Sequence, residues 1–248
     1  MSVPQIIESL IALSHHYGSD ASFVIAGGGN TSAKLDDDRM LVKASGHGLS
    51  TIGADGFVEM DRSKLQSLAE SELSSERDVR EQQFKDAIYA ARKHPEKGQR
   101  PSVEVVLHEL VPFRYVVHTH PTVCNALTCC EGGEELAKAW FGDDVVWVPY
   151  VDPGFELAQA LRQAIEGREA GMILMQNHGL VIGGDDEQAV HDLTRKMVTT
   201  IEEKLGSKWT TRGLAGDDAC INLNHEHVSI VAPMIRAALM RDGVLPVV

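Results

Sequence analysis

Apolar residues recur at helical spacing through residues 4–17, "PQIIESLIALSHHY", and the run stops at Gly18, a residue suited to close a helix. The pattern then changes. "SFVIAGGGNTSAKL" predicts strand, glycine turn, strand, and "DDD" (36–38) turns the chain into "RMLVKAS", a third strand. Helical periodicity returns over 61–73 and 76–93, the second segment ending before a loop from Pro95 to Pro101. A short helix from Pro101 or Ser102 to Leu110 leads into the strand "RYVVH", and helical pieces fill most of 121–140. "DVVWVPY" predicts a strand, "ELAQALRQAIEG" a helix, and "GMILMQ" and "LVIGG" two strands flanking "NHG". A long helix covers 185–205, and "EHVSIVAPMIRAALMRDG" predicts a closing helix. Strands interleave with helices, the early strands are joined by tight turns, and no composition break marks a linker. The expectation is one α/β domain over residues 1–248, with a mixed or antiparallel sheet covered by helices.

The chain has 248 residues, enough to bury a core, and its net charge of −13 comes from 23 basic and 36 acidic residues. That balance argues against nucleic acid or an anionic membrane as partner. It leaves room for a phosphorylated substrate, because backbone N–H groups can bind an anion inside an acidic protein. "MSVPQIIESL" lacks the basic and apolar regions of a signal peptide, and no run reaches the ~18 apolar residues of a membrane span. The four cysteines, Cys124, Cys129, Cys130 and Cys220, form neither a CxxC pattern nor a disulfide framework. Reduced, mostly buried thiols in a cytoplasmic protein are expected.

Three stretches carry candidate chemistry. In "VVHTHP" (116–121) an extended backbone puts His118 and His120 on one face, their Cα atoms about 6.6 Å apart, so both imidazoles can converge on one cation. In "MQNHGLVIGG", His178 sits where an apolar strand meets a tight turn, and can supply the third imidazole of a site with an open position. In "RPSVEVVLHEL", Ser102 is placed at the helix start, Glu104 in the first turn, and His108 four residues on along the same face. Glu104 there either complements the helix dipole or serves a nearby cation and shuttles a proton. His108 is either its supporting partner or an ordinary hydrogen-bonded histidine.

Two glycine-rich turns complete the set. "GGGNTS" (27–32) matches neither the dinucleotide nor the phosphate-loop pattern and alone suggests a hairpin turn. "KASGHG" (43–48) adds the Ser45 hydroxyl and the Gly46 N–H, which raises the prospect of a paired anion cradle. "NHEH" (224–227) repeats the HxH spacing but falls at a helix start, where alternate residues do not share a face. His15, His16, His94 and His191 are expected at the surface without convergent partners, and Met172, Met175 and the Met234–Met240 pair in the core.

Taken in order, "GGGNTS", "KASG", "PSVEVVLH", "HTHP" and "NHG" resemble the class II aldolase/adducin family, and span Gly27 to Gly179. The wording is similar to the aldolase half of bifunctional rhamnulose-1-phosphate aldolase/alcohol dehydrogenases, with no dehydrogenase half among these residues. The resemblance implies a three-layer α/β fold whose mainly antiparallel sheet lies between helices. It implies Zn2+, or another divalent transition metal, on His118, His120 and His178, with Glu104 as the catalytic carboxylate beside it. It implies a phosphate site of Gly29, Asn30, Ser45, Gly46 and Ser102, and a homotetramer with sites between subunits. The implied activity is cleavage of a ketose 1-phosphate to dihydroxyacetone phosphate and an aldehyde through a metal-stabilised enediolate. A pentulose-phosphate 4-epimerase, a phosphorylated keto-acid decarboxylase and a non-catalytic adducin-like module are the alternatives.

Two departures stand out. Ser102 is followed by Val103, where many members have a second serine. No tyrosine lies between Tyr115 and Tyr150, so the proton donor to the aldehyde oxygen is unassigned, with Tyr150 as the candidate.

Overall fold

A computed structural model describes residues 2–25 and 27–206. Among these residues the elements run α1 (Val3–Gly18), β1 (Asn30–Lys34), β2 (Arg39–Lys43), β3 (Phe57–Asp61), α2 (Arg62–Ala69), α3 (Arg77–Ala90) and α4 (Val105–Leu110). They continue β4 (Tyr115–Thr119), α5 (Thr122–Thr128), α6 (Gly133–Phe141), β5 (Val145–Val148), α7 (Phe155–Ala164), β6 (Met172–Met175), β7 (Gly179–Gly184) and α8 (Glu187–Leu205). The predicted closing helix, the "NHEH" cluster, Cys220 and the Met234–Met240 pair lie outside the described residues.

The seven strands form one sheet in the order β3-β2-β1-β4-β7-β6-β5. Every neighbouring pair is antiparallel except β5 with β6, which is parallel. The central strands β4, β6 and β7 are buried along their whole length, as strands covered on both faces must be. On one face, Leu107 and Val111 of the α4 segment and Leu157 and Leu161 of α7 pack with Val116, Ile173 and Val181 from the sheet. Helices α1, α5 and α8 contact β1, β4, β6 and β7. The sheet therefore lies between helical layers, as the resemblance implied. No described helix is long and apolar enough to cross a membrane.

Several boundaries differ from the sequence expectation. No strand forms at 22–25: the Phe23 and Ser22 carbonyls instead accept single hydrogen bonds from the His120 (3.0 Å) and Thr122 (2.9 Å) amides. Local apolar content there is overridden by a turn that docks onto the end of β4. "FVEMD" forms β3, an edge strand the helical periodicity of the next segment conceals. The helix after Pro101 begins only at Val105, with Glu104 as its N-cap and Ser102 Oγ accepting from the Glu104 amide at 3.2 Å. The isolated bridge between Ala44 and Pro101 explains the late start, because it keeps that backbone extended.

The surface histidines and the thiols also need correction. His15 Nε2 bonds the Ile52 carbonyl at 2.8 Å, while His16 and His191 gather around Tyr17, whose hydroxyl lies 2.9 Å from His191 Nδ1. Among the described cysteines only Cys124 is buried; the adjacent Cys129 and Cys130 are exposed at the end of α5, where packing does not reach them.

Candidate active site

Antiparallel pairing fixes which residues meet. The register of β1 on β4 sets Asn30 opposite His118 and Ser32 opposite Val116, so Asn30, Ser32 and His118 project from one face. The register of β4 on β7 sets Thr119 opposite Leu180. Because β4 runs antiparallel to both neighbours, its C-terminal end, the start of β1 and the turn before β7 lie together. His118 is in β4, His120 follows it, and His178 sits in the turn between β6 and β7.

That turn is closed by the His178 amide donating to the Met175 carbonyl at 3.1 Å. Its third residue, Asn177, takes a left-handed φ of 53°, which asparagine tolerates better than most side chains. Gly179 follows for a steric reason. A Cβ there would lie 2.6 Å from the Thr119 carbonyl oxygen and 2.7 Å from His120 Cδ2. Gly29 takes a φ of 71°, and a Cβ on it would meet the His118 carbonyl oxygen at 2.8 Å. The site is thus packed so closely that two of its backbone positions exclude a side chain.

His118, His120 and His178 each turn a ring nitrogen to a common point, all within 4.8 Å of one another. The Nε2 atoms of His118 and His120 are 3.0 Å apart. His118 Nδ1 lies 3.0 Å from the Leu180 carbonyl, which can only accept, so Nδ1 carries the ring proton and Nε2 presents its lone pair. Two facing imidazole nitrogens, one of them oriented by a backbone carbonyl, are the donor chemistry of a cation site. The residues fit a divalent transition metal.

Glu104 stands beside the cluster, with Oε1 3.3 Å from His178 Nε2 and Oε2 3.6 Å from His118 Nε2. Its Oε2 also accepts from Asn30 Nδ2 at 2.6 Å. Burial pushes this carboxyl up, but the imidazoles of His118 and His178, the Asn30 amide and His108 outweigh it and hold Glu104 at about 2. Burial, then His118 and His178, push the His120 imidazole down to about 4 against the pull of Glu104. His178 is lowered by burial and by His118. The His108 amide donates to the Glu104 carbonyl at 3.2 Å, but its ring reaches the Glu104 carboxylate only through Asn30. Its Nε2 bonds Asn30 Oδ1, so the asparagine side chain stands between them.

The 43–48 turn meets the segment 100–102. The Ser45 amide donates to the Arg100 carbonyl (2.7 Å) and the Ser102 amide to the Lys43 carbonyl (3.2 Å), while Ser45 Oγ donates to the Pro101 carbonyl (3.3 Å). Gly46 takes a φ of 93° with open space where a Cβ would be. Ser45, Gly46 and Ser102 thus share one rim, and Gly29 and Asn30 lie against β4. Sequence reasoning missed Lys43. It is 6% exposed. Burial pushes its ammonium below the usual lysine range, opposed by Glu104. The only available signal was a lysine ending a strand beside the "SGHG" turn. Tyr150, 54% exposed, follows β5, and its backbone amide donates to Gln176 Oε1 next to the His178 turn.

Fold and site together define an α/β protein that gathers three imidazoles and a carboxylate at one end of a mostly antiparallel sheet. Residues 8–203 match the family described as Class II Aldolase and Adducin N-terminal domain, and the chain belongs to that family. Among solved structures, the N-terminal class II aldolase domain of a conserved protein from Thermoplasma acidophilum is 27% identical. It covers 80% of this chain and 93% of its own, at a TM-score of 0.71. An L-fuculose-1-phosphate aldolase from Thermus thermophilus shares the fold, with TM-score 0.55, 18% identity and coverage of 86% and 99%.

Two curated relatives carry different names. An uncharacterized oxidoreductase of Bacillus subtilis (strain 168), YuxG, is 29% identical over 97% of this chain, which spans only 36% of that relative's length. A 3-oxo-tetronate 4-phosphate decarboxylase of Haemophilus influenzae is 26% identical over 73% of this chain and 78% of its own.

Proposed function

We propose that the chain is a divalent-metal-dependent lyase of sugar phosphates. Its reaction is cleavage of a ketose 1-phosphate, of the rhamnulose or fuculose type, to dihydroxyacetone phosphate and an aldehyde. The observation that carries this reading is the convergence of His118, His120 and His178 on one point with Glu104 alongside. The three histidines would hold zinc or another divalent transition metal, and neutral imidazoles would leave its charge undiminished. When bound, such an ion supplies Lewis-acid stabilisation of negative charge on the substrate's carbonyl and adjacent hydroxyl oxygens.

Cleavage leaves the electron pair of the broken C–C bond on the carbon beside the carbonyl. Glu104 in its acid form hands that carbon a proton, and its carboxylate removes one in the reverse direction. The substrate hydroxyl gives up one proton as the aldehyde forms, so the overall proton count is unchanged; Tyr150, as the phenolate, is the candidate to receive it. Gly29, Asn30, Ser45, Gly46 and Ser102 would hold the phosphate, and the buried Lys43 ammonium would supply the counter-charge. Binding energy from that remote group then orients the reacting carbons. Assembly is proposed as a cytoplasmic homotetramer.

The Haemophilus influenzae relative supports a second reading, decarboxylation of a phosphorylated keto acid. Loss of carbon dioxide would leave an electron pair on the same kind of carbon, for the same glutamate to protonate. Metal analysis, followed by product identification on a panel of ketose phosphates and keto-acid phosphates, tests both. Net aldehyde release supports the aldolase, an epimerised sugar the related 4-epimerase, and carbon dioxide the decarboxylase. Full activity in metal-free protein, or in His118→Ala, would overturn the mechanism.

A further inference from the structure

Strand β1 presents three polar side chains, two residues apart, to α4. Asn30 meets Glu104 at the helix start. Ser32 Oγ lies 2.7 Å from Nδ1 of His108 in the middle. Lys34 Nζ closes the far end on the carbonyls of His108 (3.4 Å), Val111 and Phe113 (3.1 Å). The first two links are joined, because His108 Nε2 bonds Asn30 Oδ1. The result is one continuous buried chain, Ser32–His108–Asn30–Glu104, whose first three members are exposed by only 1%, 0% and 7%.

Elementary donor and acceptor chemistry sets its direction. A carboxylate only accepts, so Asn30 turns its NH2 to Glu104 and its oxygen to His108. The His108 nitrogen facing that oxygen must carry the ring proton. Burial, then His118, push this imidazole down to about 3, so it carries one proton only and Nδ1 is left to accept from the Ser32 hydroxyl. Every bond in the chain is thereby specified from the carboxylate outward.

We propose that His108 and Ser32 are positioning residues that act through Asn30, tying Glu104 Oε2 so that Oε1 faces the imidazole cluster. The inference rests on Glu104 being the proton carrier of the proposed lyase. Fixing the carboxylate by a buried chain, and seating its helix on Lys34, removes the freedom of a side chain at the N-cap of a six-residue helix.

The test pairs kinetics with a readout that needs neither metal nor substrate. In protein carrying 15N-labelled histidine, His108 should appear as the single Nε2-protonated tautomer, and Asn30→Ala should mix the two tautomers. On whichever member of the ketose-phosphate and keto-acid-phosphate panel reacts, His108→Gln should lower kcat about 10- to 100-fold with KM within about threefold. It should cost nothing further in an Asn30→Ala background. Ser32→Ala should lose activity that Ser32→Thr, which keeps the hydroxyl, regains. An Nδ1-protonated His108, or losses that simply add in the double variant, would overturn the proposal. Should no phosphorylated sugar or keto acid react, the lyase reading falls, while the tautomer still decides the hydrogen-bond chain.

Discussion

Gly179 stands against His120 so closely that a methyl group in its place would sit 2.7 Å from the ring's Cδ2 and 2.6 Å from the Thr119 carbonyl oxygen. The neighbour at 2.6 Å is backbone, which cannot swing aside. Gly179→Ala is therefore expected to fold with a loss of about 1–3 kcal/mol, seen in denaturant unfolding. It should also weaken zinc binding at least ~10-fold, because it displaces one of the rings that meet at the cluster. Wild-type zinc affinity in this variant would show that the imidazoles are not held by close packing.

Metal binding has a proton count that the site's environment sets. His120 is held down at about 4 and His178 is lowered as well, each first by burial, so at pH 7 both favour the neutral imidazole. Their lone pairs are available without displacement of protons. Calorimetric titration of zinc in buffers of different ionisation enthalpy should give fewer than one proton released per ion between pH 6 and 8. Affinity should be falling as the pH drops through about 4, where the His120 imidazole takes up a second proton. Release of two or more protons at pH 7 would contradict this account.

Lys43 is 6% exposed, and burial disfavours its charge while Glu104 supports it. Retaining it costs stability unless a ligand makes use of it. Lys43→Met should raise the free energy of unfolding by about 1 kcal/mol. It should also weaken inorganic phosphate binding, measured by calorimetry, and raise KM for a phosphorylated substrate more than it lowers kcat. A destabilised variant with unaltered phosphate affinity would remove Lys43 from the anion site.

Lys34 does the opposite work, since its ammonium satisfies carbonyls at the end of α4. Lys34→Met should cost about 1–3 kcal/mol, because buried acceptors lose their donor. Burial pushes Lys34 from 10.5 down to about 8. Between those values the unfolded chain holds the proton and the folded chain has released it, so stability from this group rises with pH across that window. Unfolding midpoints compared at pH 7.5 and 10 should show this rise in the wild type and its loss in the variant.

The residues read by themselves offered the three histidines and Glu104 as separate candidates and set out the order of most elements; the family resemblance joined the four into one proposed set. An HxH pair ending a strand, a histidine before a glycine turn and an acid at a helix start are local patterns, imposed by two- and four-residue periodicities. What the residues could not show is that Asn30, drawn from a glycine turn, would stand between Glu104 and His108. That depends on Asn30 pairing with His118 across two strands far apart in the chain. Lys43 was overlooked for the same reason: it ends β2 opposite Phe57, and its carbonyl accepts from the Ser102 amide, partners far from it in sequence. Likewise "SFVI" (22–25) has the composition of a strand, yet the Phe23 and Ser22 carbonyls are taken by the amides of His120 and Thr122, and no strand forms there. Spacing along the chain determined which side chains could share a face. Cross-strand register and burial, which join distant segments, decided which of them touch.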